Sequence, residues 1–236
     1  MARRTTTVND AAPASDDSLR AKVAATMGAS ALSLPPAQLH ARILEVGSFW
    51  LQRLLPDLEV ASCDQELLAD EPRRSLVARL IVAALPEALR LFERLVAEPR
   101  SEGLIGELQF SLFVALSDVG DCPDYLGVHA QLVQIMRSFI EQVEVDEADA
   151  AWMAADVLGD HWPLGLTLGA LRAAALGATH RAGREAALHG LSHALGRADK
   201  RQQWEIVEVA KQIERHDPDD AVRRYAGQVL GALRGL

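Results

Sequence analysis

The chain has 236 residues and a formal charge of −9, with 24 Lys and Arg against 33 Asp and Glu. With 49% hydrophobic and 24% charged residues, the composition is that of neither a disordered chain nor a membrane protein. An acidic surface repels nucleic acid and anionic membrane and attracts basic partners.

Aromatic residues make up only 5%, while Ala and Leu are abundant, which favours helices over a β-sandwich. Cys63 and Cys122 show neither a CxxC pair nor zinc-ligand spacing and read as reduced thiols. The opening MARRTTTVNDAAPASDDS has two arginines but no apolar segment after them, so it does not read as a signal peptide. No stretch reaches the roughly 18 to 20 uncharged apolar residues of a membrane span. The expectation is a cytoplasmic, bacterial-type chain with no membrane contact.

Residues 1–17 are polar and aperiodic and are expected to form a disordered tail. Pro35-Pro36 opens a predicted helix to about Leu55, with Leu39, Ile43, Val46, Trp50 and Leu54 on one face. The acidic stretch Asp64 to Asp70 adds a short turn of helix. Pro72 and Pro86 each start another, Pro99 ends the second, and a further helix runs from about Glu102 to Asp118. Gly120-Asp121 and Pro123 mark the next corner, and His161-Trp162-Pro163 a later one. No window alternates with period two, so the fold is all-α. Trp50, Trp204, Phe92, Phe110 and Phe113 sit at helical spacing among aliphatic residues and are expected in the core.

Three segments align: Asp149-AAWMAADVLG, Arg181-AGREAALHGLS and Asp220-AVRRYAGQVLG. A small residue recurs at Ala154, Ala187 and Ala226. Four residues later stand Leu158, Leu191 and Leu230, followed by Gly159, Ser192 and Gly231. A degenerate copy at Leu112, Leu116 and Ser117 extends the series, and the steps from Leu116 to Leu158, Leu191 and Leu230 are 42, 33 and 39 residues. Ala and Leu four apart share a helix stripe, and the small residue admits a neighbouring helix closely.

In the last copy, Asp217-Pro218-Asp219-Asp220 supplies a turn and cap. Val222-Arg223-x-x-Ala226-x-x-x-Leu230-Gly231 follows. That string resembles the second helix of a HEAT repeat, with Trp204 to His216 as the first helix; the middle copy departs from it at Gly183-Arg184. The resemblance is best over about 148–236. It implies a right-handed α-solenoid of antiparallel helix pairs, with HEAT-like repeats over 101–236 and a helical N-terminal region or cap over 18–100.

At 100° per residue, Ala187, Leu188, Leu191, Ala194 and Leu195 form the apolar stripe of the middle copy. Glu185, His189 and His193 lie opposite. The same register places Trp152, Asp156 and Asp160 in the preceding copy and Arg224, Gln228 and Ala232 in the last. Second helices of a solenoid lie side by side. Asp156 is therefore predicted beside His189 and Asp160 beside His193, with an exposed Trp152 and Glu185 at one end.

The candidate partner-binding residues are Trp152, Asp156, Asp160, Glu185, His189, His193 and Arg224, meeting a basic protein in the manner of an adaptor or inhibitor, for example an immunity or antitoxin protein. No catalytic residue, metal or cofactor is assigned. His189-x-x-x-His193 can present two zinc ligands, but Gly190 stands where an HExxH acid is needed. HEAT-like deoxyhypusine hydroxylases hold iron through paired His-Glu steps. The equivalent pairs here are Ala151-Trp152, Arg184-Glu185 and Arg223-Arg224, without a histidine. Trp152-x-x-x-Asp156 is similar to an arrangement in HEAT-like alkylpurine DNA glycosylases, which implies the alternative of an enzyme using Trp152, Asp156 and His189. Those enzymes need a basic groove, and this face is acidic.

Overall fold

The computed structural model describes residues 16–98, 104–120, 122–125, 127–143 and 148–233. Among these residues every regular element is a helix. The first half holds α1 (Asp16–Met27), α2 (Pro36–Val46), α3 (Ser48–Ala61), α4 (Gln65–Ala69), α5 (Glu71–Ala83), α6 (Leu89–Ala97) and α7 (Leu104–Ser117). The second holds α8 (His129–Gln142), α9 (Ala148–Asp156), α10 (Leu164–Gly177), α11 (Arg181–Ala194), α12 (Lys200–His216) and α13 (Asp220–Leu233). A π turn, Val157–His161, follows α9 directly. No described helix is long and apolar enough to cross a membrane.

Helix starts follow local chemistry. Pro36 and Pro72 fall in the first turns of α2 and α5, where a missing N–H costs nothing. Asp64 caps α4 through Glu66 N and Leu67 N, and Asp199 forms a reciprocal capping box with Gln202 at α12. Most of the tail and Pro99 lie outside the described residues, but Asp16 and Asp17 already belong to α1 rather than to a tail.

Three expectations are corrected. The single helix from Pro36 to Leu55 is broken at Gly47, whose φ of 95° no helix accommodates, so Trp50 belongs to α3. Phe92 and Phe113 are fully buried, but Trp204 is 63% and Phe110 41% exposed. Each stands two residues before a buried aliphatic, Ile206 or Leu112, and so about 200° round its helix from the core line. Finally, α6 begins at Leu89, beyond the start that Pro86 suggests.

The apolar core is continuous from Leu19 on α1 to Ala226 on α13. Two series of packings run through it. In one, α5 lies on α7, α7 on α9, α9 on α11 and α11 on α13; in the other, α6 lies on α8, α8 on α10 and α10 on α12. The partners α6 and α7, α8 and α9, α10 and α11, and α12 and α13 join the two. Buried polar groups tie neighbours together: Gln109 on α7 donates to the Leu95 and Val96 carbonyls at 3.0 and 3.3 Å, ending α6.

Candidate functional site

The α9–α11 contact is unusually close. A β-carbon on Gly159 would lie 2.3 Å from the Gly190 carbonyl oxygen, and one on Gly190 2.6 Å from that of Ala155. Only glycine permits this approach, which explains why Gly190 stands between two histidines. Ala154, Ala155, Ala186 and Ala187, all fully buried, continue the small-residue seam.

This approach brings facing side chains within bonding range. His189 Nε2 lies 2.8 Å from Asp156 Oδ1, and His193 Nε2 lies 3.7 Å from the same oxygen. His193 Nδ1 is 2.6 Å from Asp160 Oδ2. Both predicted pairings, Asp156 with His189 and Asp160 with His193, are thus met, each across 33 residues. The two imidazoles stand edge to face with centroids 4.4 Å apart. Asp160 sits in the π turn, and Arg197 donates to the Gly159 and Trp162 carbonyls at 2.9 and 3.0 Å, satisfying acceptors the turn leaves open.

Comparison with protein-family models, with curated proteins and with solved structures returns no match.

The remaining expected residues are placed less simply. Trp152 is half-buried, not exposed: its ring stacks on His189 with centroids 4.3 Å apart and lies 5.8 Å from that of Tyr225. Glu185 is at the same end but pairs with Arg181 on its own helix at 3.0 Å. Arg224 is exposed, one residue before the half-buried Tyr225. The residue of α13 that joins is Tyr225, whose hydroxyl lies 3.1 Å from His189 Nδ1. Register alone points to Gln228 at this place. Tyr225 stands three residues before Gln228 and so on the same face of α13. An aromatic residue directly before the repeat's small Ala226 was the signal available.

Burial, and then the charges of Asp156 and Glu185, hold the Tyr225 phenol above its ordinary pKa, so it stays protonated. Asp156 Oδ1 is buried and accepts no hydrogen bond, although His189 Nε2 is close: the nitrogen does not approach along an N–H direction. Asp156, His189 and His193 are the residues here that could hold a metal, their donor atoms lying within 4.8 Å of one another.

Proposed function

We propose that the chain is a HEAT-like, right-handed α-solenoid acting as a non-enzymatic adaptor or inhibitor, which binds a protein of basic surface through the face shared by α9, α11 and α13. The observation that carries this reading is a strip of half-exposed polar and aromatic groups, Trp152, Asp156, Asp160, Glu185, His189 and Tyr225, crossing three adjacent helices whose opposite sides are buried in one core. Such a strip on rigid elements suits recognition of a folded partner.

Support for the repeat comes from spacing. Asp156 with His189, Asp160 with His193, Arg172 with Glu205 and Arg184 with Asp217 all pair across 33 residues, one helix pair apart. Three-residue connections at 178–180 and 217–219 suit antiparallel neighbours. The alternate-helix packing of the odd-numbered helices runs back from α5 through α3 to α1, so this reading moves the boundary between cap and repeats earlier than residue 101. Two free thiols, Cys63 and Cys122, fit a cytoplasmic setting. An immunity or antitoxin role is one concrete form. The acidic strip disfavours the glycosylase-like alternative.

Affinity capture from the native host tests it. A specific basic partner is expected on the wild type and on Glu93→Lys, which changes an exposed residue of α6. Trp152→Ala and Glu185→Lys are expected to weaken it by about tenfold or more. Identical profiles for all four proteins would contradict the reading.

A further inference from the structure

We infer that Asp156 Oδ1, His189 Nε2 and His193 Nε2 bind one divalent transition-metal ion of the zinc class, with water completing its coordination; this stands independently of the partner reading. A zinc-type ion bonds nitrogen and oxygen at about 2.0 to 2.2 Å, which sets neighbouring donors about 3 to 3.5 Å apart. The observed separations from Asp156 Oδ1, 2.8 and 3.7 Å, bracket that range.

Outer partners point the same way. His193 Nδ1 faces Asp160 Oδ2 at 2.6 Å and His189 Nδ1 faces Tyr225 Oη at 3.1 Å, so each second nitrogen has an acceptor. With Nδ1–H donated outward, Nε2 of each ring is left as a lone-pair donor, 2.8 and 3.7 Å from Asp156 Oδ1. Two lone pairs and a carboxylate oxygen repel one another unless a cation lies among them. The buried Oδ1 without a hydrogen bond is the atom such a cation would satisfy.

The donor chemistry selects the ion. Two imidazoles and one carboxylate suit zinc, iron, copper or nickel, whereas magnesium and calcium prefer oxygen alone. Three protein ligands leave a position open to water, unlike the closed four-ligand set of structural zinc sites. The ligands stand on two helices locked by the Gly159–Gly190 contact, so little ordering is required on binding.

Calorimetry on the full chain stripped with chelator, titrated with Zn²⁺ and separately with Mg²⁺, tests the proposal. One equivalent of Zn²⁺ is expected to bind, and no Mg²⁺. His193→Ala and Asp156→Ala are expected to weaken binding by at least about 100-fold, and Asp160→Asn by about tenfold. Circular dichroism of each metal-free variant checks that it folds. Should those variants unfold, Co²⁺ titration of the unmutated chain decides: ligand-field bands saturating at one equivalent and displaced by Zn²⁺ are expected. A spectrum identical to aqueous Co²⁺, or Zn²⁺ binding unchanged in a folded His193→Ala, overturns the proposal.

Discussion

Arg184 on α11 carries its charge into an almost water-free position, where Asp217 meets it with two hydrogen bonds of 2.7 and 3.2 Å. Its Nη1 donates to the Ala178 and Thr179 carbonyls, so four of the five guanidinium N–H groups are engaged. Asp217→Ala strands a buried cation and is expected to cost about 3 to 5 kcal/mol, read from urea unfolding. Asp219 nearby caps α13 by accepting from Ala221 N at 2.7 Å and Val222 N at 3.4 Å. The Ala221 bond above all holds its pKa below the ordinary carboxylate value. Because the folded value is the lower one, the associated stability is present above the ordinary carboxylate range and is lost as pH falls through the folded value. Asp219→Asn should therefore flatten the acid limb of the stability curve and leave its shape at neutral pH unchanged. At this scale the sequence was partly legible. Asp156 and Asp160 could be matched to His189 and His193 because all four sit at fixed offsets from repeat alanines. Trp152 was misjudged as exposed because its cover, Tyr225, comes from a residue one place off that register.

Between helices, the α9–α11 seam governs the site. Gly190→Ala drives a methyl group against the Ala155 carbonyl and is expected to cost about 1 to 3 kcal/mol by forcing the helices apart. The same change should weaken Zn²⁺ binding by withdrawing Asp156 from both histidines. Thermal melting and calorimetry on one preparation read both effects. Asp199→Ala, which removes the α12 capping box, should cost only about 1 kcal/mol and leave Zn²⁺ affinity unaltered. Prolines and caps made most helix starts readable from sequence. The break at Gly47 was not, because Leu39, Ile43, Leu51 and Leu54 all reach the core on both sides of it and imitate one continuous stripe. Nor was the exposure of Trp204 and Phe110, since hydrophobicity alone does not say on which side of a helix a large residue falls.

Across the whole molecule, one core joins α1 to α13, and alternate helices stack in two series that begin within the part expected to be a distinct cap. All-helical character was plain from periodicity. How the first seven helices pack was not, because they lack the Ala-x-x-x-Leu spacing that aligned the later ones. The face of α9, α11 and α13 is the surface on which the proposed partner and the inferred metal ion converge. A photo-crosslinking residue placed at Arg224, exposed at the border of that face, tests the partner reading most directly when compared with one at Glu93 on α6. The account predicts a discrete adduct with one basic protein in host cells from position 224, lost with Trp152→Ala, and none from position 93. No adduct at 224, or the same adducts from both positions, would contradict it.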